Sequence, residues 1–339
     1  MDVEKEEIFF DVALSEPDKG SHGDVAMFGD ADGDLDLPRP FRGAHAARFS
    51  VLSAPRAAEP SSVDLSTVSV SLWRAALRLG DLLLAVPYIS SDTAMLELGC
   101  GVGFLGSLIV AAGCQRSPRR LFLTDCCLDS LRVAHTNVTR AAGEMQRHID
   151  FPAMRYFDWC ALADAAPCRW REGLLAGKQG HESVPAEFCW TDDELDVLGG
   201  GLDLIVASDV LYDFDGTDAL ARVLLTLATL NPSATIIIAH DMRLTYAGPA
   251  DECPTDVFAA HFLDTYVDAS ADIERATAAA AGDSGGSCWP PARPWFAMER
   301  LPPPPARIRM VGRGGLLCDG DGADSVEFWR LASLMKPPA

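Results

Sequence analysis

Short apolar runs alternate along the chain with longer segments in which apolar residues recur every three or four positions. The runs are typical of strands buried on both faces of a sheet, and the longer segments are typical of helices that bury one face. The predicted strands cover 94–98, 121–125, 154–157, 202–207, 235–239, 295–299 and 326–331. The predicted helices cover 66–86, 104–112, 128–142, 217–230 and 255–269. This alternation predicts an α/β fold with a doubly wound, mostly parallel, seven-stranded sheet.

The two ends of the chain and two internal stretches break the alternation. The last two predicted strands are joined through the prolines 302–305, so we expect them to form an antiparallel edge of the sheet, where proline is tolerated. Residues 1–65 are predicted to form an acidic, partly ordered N-terminal extension with short strands at 8–10 and 51–52. A single domain is predicted over 66–335, with insertions near 160–200 and 270–325.

A glycine-rich turn joins the strand 94–98 to the following helix and contains Gly99, Gly101 and Gly103. Glycines let the backbone turn tightly and approach a ligand, and turns of this kind bind nucleotide cofactors. Glu97 lies two residues before the first glycine, where a carboxylate repels a pyrophosphate and attracts a cation. The turn therefore favours S-adenosyl-L-methionine, which carries a sulfonium and an ammonium, over NAD. Taken alone, it is also compatible with an ordinary strand-to-helix loop.

Acidic residues follow the next two predicted strands. Asp125 lies 22 residues after Gly103, close to the spacing of about 20 at which an acid meets ribose hydroxyls. Its other possible role is to cap the helix that follows. Asp158 and Trp159 end the third strand, where an indole can stack on adenine and a carboxylate can accept from the adenine amine. Trp159 is equally compatible with a place in the core.

The fourth predicted strand runs into Ser208 and Asp209, and Tyr212 follows three residues later. By themselves Asp209 and Tyr212 would be interpreted as a helix cap and a core aromatic. Trp73, in the helix that precedes the glycine turn, is either a core aromatic or a side chain that faces a cofactor.

Composition narrows the classes of partner. The chain of 339 residues has 28 basic and 49 acidic residues, a net charge of -21, which opposes binding to nucleic-acid phosphates and favours basic proteins. The ten cysteines lack CxxC spacing and the seven histidines form no His-Glu-x-x-His pair, so no metal site is predicted. No apolar run is long enough for a membrane span. We expect a monomeric intracellular protein of the cytoplasm or nucleus, with no membrane or direct nucleic-acid partner.

The glycine turn, Asp125, Asp158-Trp159 and the motif Asp209-x-x-Tyr212 together resemble the seven-stranded S-adenosylmethionine-dependent methyltransferases, and the last motif resembles protein-lysine methyltransferase family 16. The resemblance implies a Rossmann-like methyltransferase fold and a lysine-bearing protein substrate. It places the substrate motif at Asp209 and Tyr212. The cofactor contacts that it implies are Trp73, Gly99, Cys100, Gly101, Asp125, Trp159 and Ser208. Cys100 and Ser208 depart mildly from the small residue and the alanine that are frequent at these positions.

The predicted activity is therefore protein-lysine N-methylation with S-adenosyl-L-methionine. Asp209 is expected to orient the amine and Tyr212 to pack or hydrogen-bond against it. Nucleic-acid methyltransferases have two prolines where this chain has Val210 and Leu211, and they need a basic surface. The remaining alternatives are a small-molecule methyltransferase, a nicotinamide oxidoreductase, which Glu97 disfavours, and a non-catalytic binding module on the same fold.

Overall fold

Eleven strands and seven α-helices are seen in the part of the chain that the computed structural model describes, which comprises residues 5–13, 46–54, 70–113, 118–144, 152–160, 170–176, 184–243, 255–273, 293–311 and 325–334. The strands are β1 (Glu6–Ala13), β2 (Ala46–Ser53), β3 (Ala94–Leu98), β4 (Arg120–Asp125), β5 (Ala153–Tyr156), β6 (Leu204–Ser208), β7 (Thr235–Asp241), β8 (Val267–Asp268), β9 (Phe296–Leu301), β10 (Ile308–Val311) and β11 (Val326–Ser333). The helices are α1 (Arg74–Ala85), α2 (Phe104–Ala112), α3 (Leu128–Glu144), α4 (Trp170–Ala176), α5 (Asp192–Leu198), α6 (Phe214–Leu230) and α7 (Val257–Tyr266).

The central sheet has the order β5-β4-β3-β6-β7-β11-β9-β8. Strands β3 to β7 are parallel to one another, and β11 is antiparallel to both β7 and β9. The mostly parallel α/β sheet and the antiparallel pairing of its last two long strands are therefore confirmed. The eighth strand, β8, has two residues and pairs with β9. It shortens the helix predicted over 255–269, because Val267 has extended backbone angles and pairs with Phe296 instead.

Apolar side chains of the central strands fill a core on each face of the sheet. In β6, Val206 packs into one core, whereas Ile205 and Ala207 pack into the other. All three residues are essentially inaccessible to solvent. Two-sided burial explains why these strands are continuous apolar runs in the sequence and not alternating ones. Each buried side chain of the size of Val206 or Ile205 contributes about 1.5–3 kcal/mol of burial free energy.

A second, three-stranded antiparallel sheet has the order β10-β1-β2. Its first two strands contain the predicted short strands at 8–10 and 51–52. Phe10 of β1 and Phe49 of β2 are fully buried. The remainder of the predicted extension, residues 1–4, 14–45 and 55–65, lies outside the described residues.

Parts of both predicted insertions belong to the folded body. Trp190, between α4 and β6, is buried, packs on Phe122 and donates a 2.9 Å hydrogen bond to the carbonyl of Tyr156. Residues 161–169, 177–183, 274–292 and 312–324 lie outside the described part of the chain. Among the described helices, none combines the length and apolar character that crossing a bilayer requires.

Candidate functional site

The carboxyl ends of β3, β4, β5 and β6 form one rim of the central sheet. These four strands are parallel neighbours, and their registers pair Leu98 with both Thr124 and Ala207, and Asp125 with Tyr156. The residues that follow the strands therefore emerge along the same edge. In open α/β sheets this edge is where ligands bind. The structure thus brings the predicted glycine turn, Asp125, the Asp158-Trp159 pair and Asp209 to one rim.

The glycine turn depends on glycine for conformation and for space. Gly99, Gly101 and Gly103 have φ angles of 73°, 50° and 72°, in the left-handed region. A Cβ atom on Gly103 would lie 2.7 Å from the Cβ of Ala134 in α3, and one on Gly99 would lie 2.9 Å from Val210 Cγ1. Helix α3 and the loop after β6 therefore close directly onto the turn.

Asp125 binds two backbone segments of this rim at once. Its Oδ2 accepts a 3.0 Å hydrogen bond from the Gly101 N–H, and its Oδ1 accepts a 2.8 Å bond from the Cys127 N–H, just before α3 begins. Burial raises the pKa of Asp125 to about 6, although these backbone bonds act in the opposite direction. A carboxylate has about four acceptor positions, so acceptor capacity remains that suits the hydroxyls of a ribose.

Glu97 is a buried acid with an unused acceptor atom. Glu97 is 1% exposed, and its Oε2 has no hydrogen-bond partner among the described residues. Burial and then the charge of Asp125 raise the pKa of Glu97 well above its ordinary value. The pKa of the Cys100 thiol is raised in the same way, by burial and by the charges of Asp125 and Glu97.

Trp159 adds an unpaired donor on the same rim. Its indole Nε1 is buried with no partner in the described part of the chain, and its ring lies 3.5 Å from where a Cβ of Gly99 would be. Next to it, Asp158 accepts a 2.9 Å hydrogen bond from the Cys160 N–H. Buried polar atoms without partners need an explanation, and a ligand is one. A cation beside Glu97, a ribose on Asp125 and an adenine against Trp159 fit S-adenosylmethionine.

Asp209 follows β6 and has strained backbone geometry. Its φ is 58°, and it is the only non-glycine residue with a positive φ among those described. Its side chain is 2% exposed, and its Oδ1 accepts a 2.7 Å hydrogen bond from Arg243 Nη2. Burial raises the pKa of Asp209, whereas the charges of Arg243 and His240 oppose that rise. Strain of this kind is concentrated at functional sites.

A buried network continues from Asp209 towards α7. The imidazole of His240 lies between two acids, with Nδ1 3.7 Å from Asp209 Oδ1 and Nε2 2.9 Å from Asp256 Oδ2. Asp256 also accepts from the backbone N–H of Arg243 at 2.7 Å and caps α7. Burial alone would raise the pKa of Asp256, but the hydrogen bonds from His240 and from backbone N–H groups lower it to about 2.

Sequence reasoning did not find His240, Arg243 and Asp256. The available signal was weak. His240 is in β7 and Arg243 is two residues beyond it, so both belong to the same rim, but nothing in the sequence pairs them with Asp209.

Tyr212 and Trp73 complete the rim. Tyr212 is 43% exposed, and the pKa of its phenol is raised to about 12 by burial and then by the charges of Cys126 and Asp125. Trp73 precedes α1, and the guanidinium of Arg243 lies 5.7 Å from its ring centroid. Ser208 is the last residue of β6 and is half-buried. The structure describes all these predicted positions, and their roles in binding stay predictions.

Similarity to known proteins agrees with the motifs. No protein-family model matches the chain. Human methyltransferase-like protein 22 is 27% identical to this chain over 186 residues, which cover 55% of this chain and 41% of that protein. Mouse methyltransferase-like protein 22 is 25% identical over 186 residues, which cover 55% of this chain and 42% of that protein. Mouse protein-lysine N-methyltransferase EEF2KMT is 26% identical over 162 residues, 48% of this chain and 40% of that protein.

The matched region spans about two fifths of the length of these relatives. Three local features of the chain resemble methyltransferase-like protein 22 in their residue pattern, namely 72–77, 208–213 with 217–220, and 327–330. The resemblance inferred from the motifs is therefore confirmed: this chain is related to methyltransferase-like protein 22 and to a protein-lysine N-methyltransferase.

Proposed function

We propose that this protein is an S-adenosylmethionine-dependent methyltransferase that methylates a lysine side chain of a basic protein. The observation that carries the proposal is the rim on which the glycine turn, Asp125, Trp159 and the strained Asp209 lie together. The names of the relatives give the same reaction class, and one of them names lysine.

Three side chains would hold the cofactor, each through a different part of it. Glu97 offers a buried carboxylate to a cation, Asp125 offers acceptor positions to ribose hydroxyls, and Trp159 offers a ring and an unpaired N–H to adenine. The cofactor supplies an electrophilic methyl group when it is bound. The protein must therefore bring an amine with a free lone pair into line with that methyl.

Asp209 and Tyr212 are the groups that would receive the amine. A lone carboxylate would raise the pKa of a lysine and keep it protonated. Arg243 already pairs with Asp209, so the carboxylate can orient the amine through hydrogen bonding without the full pull of an uncompensated negative charge. The phenol of Tyr212, with a pKa of about 12, is neutral at physiological pH. It therefore packs or hydrogen-bonds against the amine, and the proton leaves to water at the exposed side of the ring.

The surroundings of the rim favour a basic protein over a nucleic acid. Asp213 and Asp215 are exposed on either side of the exposed Phe214, next to Tyr212. Val210 and Leu211, which stand where base-methylating enzymes have prolines, are 5% and 0% exposed and pack in the core. The net charge of -21 also repels phosphates.

A labelling experiment tests the proposal. The protein is incubated with S-adenosylmethionine tritiated in its methyl group and a whole-cell extract, and labelled bands are identified by mass spectrometry. We expect methyllysine with the wild type, background labelling with Asp209→Ala, and unchanged labelling with the control Asp264→Asn, an exposed change near the C-terminal end of α7. Calorimetry with S-adenosylhomocysteine checks that Asp209→Ala still binds the cofactor product. Label in RNA or DNA, or on a residue other than lysine, would overturn the lysine assignment.

A further inference from the structure

We propose that Asn137 in α3 is a positioning residue for the cofactor, which ties the glycine turn to strand β2 of the N-terminal sheet. The inference rests on the proposed function, because it takes the turn 99–103 as the cofactor loop. It assigns to the small sheet β10-β1-β2 a part in cofactor binding.

The carboxamide of Asn137 uses three hydrogen bonds and is 0% exposed. Its Oδ1 accepts from the Leu52 N–H at 2.7 Å, and its Nδ2 donates to the Leu52 carbonyl at 3.0 Å. This pair of bonds continues the edge strand β2 as a neighbouring peptide group would. The second hydrogen of Nδ2 goes to the Val102 carbonyl at 2.8 Å. One side chain therefore joins the N-terminal sheet to the middle of the glycine turn.

Val102 stands between Gly101 and Gly103, so the turn is held from both sides. Asp125 binds the Gly101 N–H from the β4 side, and Asn137 binds the Val102 carbonyl from the α3 side. A turn of glycines has more conformational freedom to lose than any other, so fixing it in advance lowers the cost of ordering it around a ligand.

Aromatic packing connects the same sheet to the helix that follows the turn. Phe104 is the first residue of α2 and is 1% exposed. Its ring centroid lies 5.1 Å from that of Phe10 in β1 and 5.7 Å from that of Phe49 in β2. The small sheet is thus linked to the cofactor loop through the Asn137 side chain of α3, and it supports the start of α2 through an aromatic cluster.

Asn231 provides a matched control on the opposite edge of the central sheet. It is 3% exposed, and its Oδ1 accepts from the Leu202 N–H at 2.9 Å. Its Nδ2 donates to the carbonyls of Leu198 and Leu227 at 2.9 and 3.0 Å. The alanine variant of either asparagine therefore removes three buried hydrogen bonds. Only Asn137→Ala releases the glycine turn.

The test compares Asn137→Ala and Asn231→Ala in the full chain. We expect similar losses of thermal stability, but binding of S-adenosylhomocysteine about tenfold weaker or more only for Asn137→Ala. Hydrogen exchange of the amides of residues 99–104, measured without ligand, should become faster only in Asn137→Ala. Equal effects of the two variants on affinity and on exchange would show that Asn137 is merely structural, and the inference would fail.

A second pair of variants covers the case in which Asn137→Ala does not fold. Phe10→Leu trims the aromatic cluster on Phe104, and Phe262→Leu makes the same change where Phe262 stacks on Trp329. Only Phe10→Leu should weaken S-adenosylhomocysteine binding and speed exchange at 99–104, and equal effects would again overturn the inference. If the wild type does not bind S-adenosylhomocysteine, the proposed function fails, whereas hydrogen exchange still reports the coupling.

Discussion

The guanidinium of Arg243 donates a 2.7 Å hydrogen bond to the carboxylate of Asp209 and lies 5.7 Å from the ring centroid of Trp73. Its other terminal nitrogen donates to the Leu211 carbonyl at 3.2 Å, so one side chain spans the motif between Asp209 and Tyr212. The Asp209 side chain is 2% exposed, and such a carboxylate needs a partner to remain ionised. Arg243 therefore controls both the charge and the position of the group that we expect to orient the amine.

Replacement of Arg243 should change the pH dependence of methyl transfer. Burial raises the pKa of Asp209 and Arg243 opposes that rise, so Arg243→Ala should move the pKa of Asp209 upward. We expect labelling at neutral pH to fall about tenfold or more, and the acidic limb of the rate profile to shift to higher pH. Rates measured between about pH 5 and 9 check this. Arg243→Lys keeps the charge but loses the hydrogen bond to the Leu211 carbonyl. Its pH profile should therefore lie between those of the wild type and of Arg243→Ala. A profile in Arg243→Ala that matches the wild type would contradict the role.

Cofactor binding should release a proton from Glu97. Burial and the charge of Asp125 raise the pKa of Glu97 in the free protein, and a bound cation would lower it again. Affinity for S-adenosylhomocysteine, which carries an ammonium, should therefore increase with pH. Asp125, with a pKa of about 6, is already ionised at about pH 8, so a measurement at that pH removes its contribution to proton release.

Calorimetry in buffers with different ionisation enthalpies measures that proton directly. The glutamine variant Glu97→Gln has no proton to release, and it should bind S-adenosylhomocysteine about tenfold more weakly because the opposite charge is lost. Asp125→Ala should also weaken binding, through the loss of contacts to ribose, while proton release at about pH 8 persists. Identical proton release in the wild type and in Glu97→Gln would refute the assignment of Glu97.

The glycines of the turn should differ sharply from a glycine elsewhere in their tolerance of alanine. A Cβ on Gly103 would approach the backbone Cα of Ala134 to 2.8 Å at a φ of 72°, so Gly103→Ala should lose about 2–4 kcal/mol of unfolding free energy. In Gly99→Ala the closest atom is a side-chain methyl of Val210 and not backbone, so the expected cost is smaller and closer to the backbone strain of about 1–2 kcal/mol.

Gly143 in α3 is the control for these two variants. Nothing lies within 4 Å of a Cβ built on it, and it is exposed in a helix, so Gly143→Ala should be neutral or stabilise the protein by up to about 1 kcal/mol. Urea unfolding gives the three free energies, and calorimetry gives cofactor affinity, which should fall only in the two turn variants. A stable Gly103→Ala variant would mean that α3 does not close onto the turn.

Features that depend on neighbouring residues could be predicted from the sequence. The five parallel strands from β3 to β7 are short apolar runs, and the turn between β3 and α2 has the glycines that its φ angles require. Contacts between distant residues could not be predicted. Arg243 meets Asp209 across 34 positions and Asn137 meets Leu52 across 85, and these pairs exist only because the strand order and the small sheet bring them together. The polar support of the site was therefore missed, whereas the residues on its rim were predicted.

Asp256 makes a pH-dependent contribution to stability that supports this network. Its pKa falls from 3.8 to about 2 in the folded protein, so the ionised form is stabilised by folding. The contribution is about 2 kcal/mol, fully present above the unfolded pKa, and it is lost as the pH falls towards the folded value. The pKa of Asp256 is lowered because His240 and three backbone N–H groups donate hydrogen bonds to its ionised carboxylate.

In Asp256→Asn the amide oxygen can still cap α7, but an NH2 group replaces the oxygen that accepts from His240 and from the Arg243 N–H, so the pH-dependent part of the stability change is the part that reports the charge. We expect the variant to be about 2 kcal/mol less stable than the wild type at neutral pH, with the difference shrinking between about pH 4 and pH 2. Unfolding by urea at several pH values measures both free energies. Asp215→Asn, an exposed change in the first turn of α6, should stay within about 0.5 kcal/mol of the wild type throughout. If the stability difference for Asp256→Asn does not vary with pH, the network does not depend on the charge of Asp256. Packing and uncharged hydrogen bonds would then position His240 and Arg243.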